Sequence, residues 1–324
     1  WPDSYRSWWD FETLPTVNKM DPEFIKYIIT DEDSVIAHWL KAGADGFRLD
    51  VADELPDAFI ALLKNRIREL KPDALLMGEV WEDASNKSAY GVRRRYFVDG
   101  ELDSVMNYPF RTAILNYLRH GDDGRGLKET VLTVLENYPP QVALANMNLL
   151  STHDSVRILS ALMGQGEGSR EENAHQHLTA EEYRQAREKF LCAAFLQFML
   201  PGMPSIYYGD EAGMEGGKDP FNRKCYPWGK EDPDLKEHYR KLCELRKSEN
   251  ALRTGNLKFM EGGSGRIAFQ REDLRVYVNQ SNSEWKLDEG EVLFSSGLKQ
   301  AKAVLIFLRS IALTVKPAAD SILQ

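Results

Sequence analysis

Two hydrophobic rhythms alternate along the chain from about Ala44 to Tyr208. Short apolar runs lead through polar loops into segments whose apolar residues recur three and four apart, the pattern of strand, loop and amphipathic helix. Phe47–Val51 predicts a strand and Pro56–Leu70 the helix after it. That helix carries Phe59, Leu62, Leu63, Ile67 and Leu70 on one stripe, with Pro56 in its first turn. Further strands are expected at Ala74–Val80, after the breaker Lys71-Pro72-Asp73, and at Leu102–Met106, Met147–Ser151 and Ser205–Tyr208. A long helix is expected from about Ala180 to Leu200, opened by Thr179 and Glu182 at capping-box spacing and stopped by Pro201-Gly202. Ser34–Ala42, ended by Gly43, and Asp234–Lys247 read as two more helices. Strands alternating with helices imply an α/β fold with parallel pairing and right-handed crossovers.

From about Thr254 the texture changes to short strands with turn signals: Ile267–Gln270, Leu274–Asn279, Val292–Phe294 and Ala301–Phe307. The expected organisation is therefore an α/β domain over residues 1–253 and a small antiparallel β domain over residues 254–324. Gly164–Gly168 reads as a flexible surface loop, and His175 and His177 beyond it lack the carboxylates or thiols that would complete a metal site.

Composition narrows the function. With 41 basic and 50 acidic side chains the formal charge is −9, and no basic cluster offers a surface to nucleic acid or anionic membrane. No apolar run reaches the roughly 18 residues a membrane-spanning helix needs. Cys192, Cys225 and Cys243 are too few and scattered for a disulfide framework or a zinc site. They read as small buried residues, which favours a reducing, cytoplasmic setting. The first residue is Trp1, so the natural start is expected to lie upstream.

The candidate chemistry sits at strand ends. In Gly46-Phe47-Arg48-Leu49-Asp50, alternation puts Phe47, Leu49 and Val51 on one face and Arg48 with Asp50 on the other. Arg48 can hold that carboxylate ionised and oriented, although a purely structural ion pair would look the same. The next strand ends Met77-Gly78-Glu79-Val80-Trp81, where Gly78 allows close backbone approach. Glu79 beside apolar walls would suit a general acid, and Trp81 is either a platform for a sugar ring or a packing aromatic. A later strand leads into Ser151-Thr152-His153-Asp154, where His153 could bind a polar substrate or serve structure. Asp210 and Glu211, on a turn marked by Gly209, read as structural. Three carboxylates at strand ends of one α/β array could converge on one mouth, and two flanking a bond are what glycoside cleavage requires. No phosphate-binding Gly-rich loop, Gly-x-Ser-x-Gly elbow or His-Glu-x-x-His motif supports a rival chemistry.

Gly46-Phe47-Arg48-Leu49-Asp50-Val51-Ala52, Gly78-Glu79-Val80-Trp81 and Leu150-Ser151-Thr152-His153-Asp154 resemble three signature blocks of the α-amylase family, glycoside hydrolase family 13, in order and in their separations of 29 and 75 residues. Ser7-Trp8-Trp9, Leu14-Pro15-Thr16-Val17-Asn18, Val105-Met106-Asn107-Tyr108-Pro109-Phe110 and Tyr207-Tyr208-Gly209-Asp210-Glu211-Ala212-Gly213-Met214 look like the cyclomaltodextrinase and neopullulanase branch. Thr16 departs from it, standing where lysine or aspartate is usual.

The resemblance implies a (β/α)8 TIM barrel and retaining hydrolysis of α-1,4 or α-1,6 glucosidic bonds in maltooligosaccharides, cyclodextrins or pullulan. It makes Asp50 the nucleophile, Glu79 the general acid/base and Asp154 the transition-state stabiliser. Arg48 would orient Asp50, His153 would bind the same ring, and Asp219 with Arg223 would grip a more distant sugar. No cofactor or metal ligand is implied, calcium being left open, and a homodimer would belong to the full-length protein. The alternative is a non-catalytic amylase-like scaffold that binds carbohydrate or a partner protein, though such proteins usually lack one of the three carboxylates. The family's first block, an Asp…Asn-His on the third barrel strand, is missing. Barrel strands 1–3 are thus expected before Trp1, and these residues alone should hydrolyse little.

Overall fold

The structure, a computed structural model, describes residues 5–98, 101–120, 123–281, 283–287, 290–296 and 302–307. The chain forms two compact units, Trp1–Met106 and Asn107–Gln324. In the first, Gly46–Leu49, Leu75–Gly78 and Ser104–Val105 form a parallel three-stranded sheet, with Leu49 opposite Gly78 and Gly78 opposite Val105. In the second, Met147–Leu149 pairs in parallel with Met203–Ser205. All five expected strands are present, and all pair in parallel.

All five are shorter than or shifted from the expected runs, and in the first and the last the reason is the same: a side chain takes up a backbone group. The first stops at Leu49 because Val51 turns into the left-handed region (φ 38°) and gives its N–H to the Glu79 carboxylate instead of a neighbouring strand. The last is Met203–Ser205, not Ser205–Tyr208. The Tyr208 carbonyl accepts from Arg157 Nη1 at 2.9 Å, so that segment's polar groups are drawn off the ladder by side chains. Gly209 takes a φ of 87° in the turn that follows, where a Cβ would also meet Met214 Sδ.

The helix expected at Pro56–Leu70 runs Asp57–Leu70, with Pro56 at its N-cap. Its buried stripe is Phe59, Ile60, Leu63 and Ile67. Leu62, 38% exposed, lies off that stripe, and Leu70 is exposed at the helix end, so neither belongs to the core. Lys64 is buried instead, its ammonium against Asp103, whose carboxylate also accepts the Leu76 N–H at 2.7 Å and fixes the central strand. The long helix spans Ala180–Met199 behind the expected capping box, with Glu182 N–H to Thr179 Oγ1 at 3.2 Å and Thr179 N–H to Glu182 Oε2 at 2.8 Å. Val35–Lys41 and Pro233–Ser248 form where amphipathic segments were expected.

The change of texture near residue 254 is real, and it falls inside the second unit. Leu257–Phe259, Arg266–Arg271, Leu274–Asn279, Lys302–Phe307 and Glu291–Ser296 lie side by side in that order, every neighbour antiparallel. Phe294 stacks on Phe195 of the long helix (centroids 5.6 Å apart). The buried Arg271 caps that helix by donating to Met199 O at 2.6 Å. Residues 308–324 of the expected β domain lie outside the described residues.

Smaller corrections follow from packing. Of the three cysteines only Cys192 is buried, which pushes its thiol up to about 12; Cys225 is exposed and Cys243 half-buried. After the Gly164–Gly168 loop the chain forms a short capped helix, Arg170–His175, and His177 Nδ1 pairs with Glu215 at 2.7 Å. Among the described residues no helix is long and apolar enough to cross a membrane.

Candidate active site

Two neighbouring strands of the first unit's sheet, Gly46–Leu49 and Leu75–Gly78, deliver Arg48, Asp50 and Glu79 to one place. Arg48 Nη1 lies 2.5 Å from Asp50 Oδ1, and Nη2 lies 2.9 Å from Glu79 Oε2. Arg48 and Asp50 share a strand face, as alternation requires, and Glu79 reaches the same guanidinium from the neighbouring strand. The two acids differ sharply in access: the Asp50 side chain is 71% exposed and that of Glu79 only 3%.

Glu79, buried as expected, is also held by donors. Its Oε2 also accepts the Val51 N–H at 2.8 Å, and its Oε1 accepts Trp81 Nε1 at 3.2 Å. Three donors, one on the neighbouring strand and two in the segments after the strands, hold a buried carboxylate, so its burial is offset by charge-assisted hydrogen bonds. Local periodicity registers the apolar Met77 and Val80 but not donors arriving from the next strand's loop. Gly78 does mark a close approach, to protein and not to ligand: a Cβ there would lie 2.6 Å from Leu102 Cδ1. Trp81 is half exposed, and its indole N–H holds Glu79.

The second unit brings together His153, Asp154, Asp219 and Arg223. His153 Nε2 contacts Asp154 Oδ2 at 2.9 Å, and Arg223 Nη2 contacts Oδ1 at 3.3 Å. Arg223 Nε reaches Asp219 Oδ1 at 2.6 Å and donates to the His153 carbonyl at 3.0 Å. Asp210 is structural, as expected: buried with the fully buried Arg157 at 3.2 Å. Burial pushes its carboxyl up to about 7, against the opposing pull of Arg157 and a Ser151 hydrogen bond.

Sequence reasoning passed over the groups beneath this cluster. Arg157 Nε donates to Asn222 O at 2.9 Å, and its guanidinium lies over the Tyr207 ring at 4.6 Å. The buried Asn222 amide donates to the carbonyls of Thr152, His153 and Ser155. An arginine three residues after Asp154, and an asparagine beside Arg223, were the only signals available. In the first unit Glu54 was likewise missed: Trp9 Nε1 donates to it at 2.8 Å and Tyr90 Oη also contacts it.

Residues 3–254 match the description "Alpha amylase, catalytic domain". The chain therefore belongs to the alpha-amylase family, whose catalytic domain is a TIM barrel with a small antiparallel sheet. It is similar to an amylopullulanase of Thermoanaerobacter thermohydrosulfuricus (35% identical over 294 residues, 83% of this chain and 19% of the relative). A cyclomaltodextrinase of Bacillus sp is 34% identical over 271 residues, 81% of this chain and 42% of its own. Among solved structures, the type III pullulan hydrolase from Thermococcus kodakarensis superposes with a TM-score of 0.75 at 29% identity, covering 93% of this chain and 51% of that one. The chain thus spans about a fifth to a half of the length of these proteins.

Proposed function

We propose that the protein containing this chain is a retaining α-glucan hydrolase that cleaves α-1,4 and, in pullulan-like substrates, α-1,6 glucosidic bonds. The observation that carries this reading is Arg48 bridging Asp50 and Glu79, which ties two carboxyl groups to one guanidinium, as cleavage by a pair of carboxyls flanking the bond requires. Amylopullulanases, cyclomaltodextrinases and a neopullulanase among the relatives support the substrate class.

In this reading the exposed Asp50 carboxylate attacks the anomeric carbon while protonated Glu79 gives its proton to the leaving glycosidic oxygen. Glu79 then takes a proton from water, whose oxygen attacks the same carbon and releases Asp50. Arg48 keeps Asp50 aligned for the attack. Asp154 and His153 bind hydroxyls of the reacting ring, and Trp81 and the Asp219–Arg223 pair contact sugars further along. The five parallel strands would be strands 4–8 of the barrel.

The test is to incubate the intact protein with maltotriose, cyclodextrin and pullulan and follow the products by NMR. Newly formed reducing ends of α configuration are expected. A β-configured product would overturn the retaining mechanism, and no cleavage of any of the three would overturn the reading.

A further inference from the structure

We propose that Asn222 is a positioning residue that sets the His153–Asp154 turn for sugar binding; this rests on Asp154 acting on substrate as proposed above. The turn from Thr152 to Ser155 satisfies its own N–H groups. Thr152 N–H donates to Ser155 Oγ at 2.9 Å, and Asp154 N–H donates to Thr152 Oγ1 at 3.1 Å. Its carbonyls are served less well from within: the Ser155 N–H reaches Thr152 O only at 3.4 Å, and Arg223 Nε reaches His153 O from outside the turn at 3.0 Å. One buried amide supplies them: Asn222 Nδ2 reaches Thr152 O at 3.2 Å, His153 O at 2.7 Å and Ser155 O at 2.9 Å.

That geometry fixes both the residue and its orientation. Three acceptors converge on one atom, so the NH2 end must face them; the carbonyl end in its place would set oxygen against oxygen. A lysine or arginine could also donate, but would add a buried charge a few residues from Asp154. A neutral donor shapes the turn and leaves the Asp154 carboxylate to its contacts with His153 and Arg223.

Asn222 is itself held from below. Its backbone carbonyl accepts Arg157 Nε at 2.9 Å, and Arg157 is fully buried between that carbonyl, Tyr208 O and Asp210. The next residue, Arg223, donates to His153 O and pairs with Asp154. Two adjacent residues therefore divide the work: Asn222 places the turn's backbone, and Arg223 places the carboxylate it carries.

Asn222→Ala and the milder Asn222→Ser test this in the intact protein by two independent readouts. Amide hydrogen exchange should rise at least about tenfold in peptides covering residues 150–157 while the Pro233–Ser248 helix stays unchanged. Unchanged exchange in 150–157, or a uniform rise everywhere, would overturn the proposal. For activity, Asn222→Ala should lower kcat about 10–100-fold and raise KM in the same direction as Asp154→Asn does, yet cost less than about threefold in an Asp154→Asn background. Equal losses in both backgrounds would show that Asn222 does not act through Asp154. A wild-type protein inert on glucans but with the local exchange change would refute the functional reading and with it the catalytic half of this proposal, leaving the clamp itself demonstrated.

Discussion

Around Asp50 and Glu79 a single guanidinium holds two carboxyl groups, whereas around Asp154 two side chains, His153 and Arg223, hold one. The difference suits different duties. A cation shared between two acids restrains their spacing yet tolerates a change of charge on either, because the other still engages it. That is what a nucleophile which becomes an ester, and an acid which gives up and regains a proton, would need. A carboxylate gripped at both oxygens is instead kept in a constant place, the property of a binding group. Exposure agrees: Asp50 is open for attack, and Asp154 is about one-third exposed, at 31%.

The contrast can be broken most directly by mutation of the acids. Asp50→Asn should lower kcat by about 10⁴-fold or more while substrate still binds, as judged by calorimetry with maltotriose. Asp154→Asn should also lower kcat, by roughly 10²–10³-fold, but should weaken binding as well. If Asp154→Asn binds sugar as tightly as the wild type, the assignment of a binding duty fails.

Arg48→Lys sharpens the same comparison. An ammonium cannot bridge two carboxylates as a planar fork does, so kcat should fall about 10–100-fold with no loss of fold by circular dichroism. The corresponding Arg223→Lys keeps one charge beside Asp154 and should cost less than about tenfold, mainly in KM. Equal losses in the two variants would mean that bridging confers nothing special.

A smaller effect concerns the support beneath the second cluster. Asp210, raised to about 7 by burial, binds a proton in the folded state that it has lost in the unfolded chain between about pH 4 and 7. Its contribution to stability is therefore full below pH 4 and lost as pH rises through 7. His238, lowered to about 4 by burial, has the opposite sign: its contribution is present above about pH 6.5 and lost as pH falls through 4. Compared with the wild type, Asp210→Asn should gain in melting temperature, by about 2–4 °C, on going from pH 4.5 to 7. An unchanged slope would mean that Arg157 keeps Asp210 ionised throughout.

Much of this was legible because it is local. Strand and helix rhythm depends on neighbours three or four residues away, so Asp57–Leu70 and Ala180–Met199 stand within a residue of expectation. The Thr179–Glu182 capping box is a contact three residues long. The pairing of Arg48 with Asp50 follows from strand alternation alone. Where expectation failed or fell short, the deciding partner was distant. Leu62 looked like core until packing chose Ile60, and the environment of Glu79 was set by Val51, 28 residues away.

Sequence by itself determined the α/β class, the placement of the acids at strand ends and, through three motif blocks, the family. Tertiary structure alone decided that Arg48 serves Glu79 as well as Asp50, that Val51 and Trp81 add two further donors to Glu79, and that Asn222 braces the Asp154 turn from 67 to 70 residues away. The physical reason is common to all three. A hydrogen bond is satisfied by whatever donor the fold brings within 3 Å or so, and periodicity along one chain carries no record of which strand or loop will arrive there.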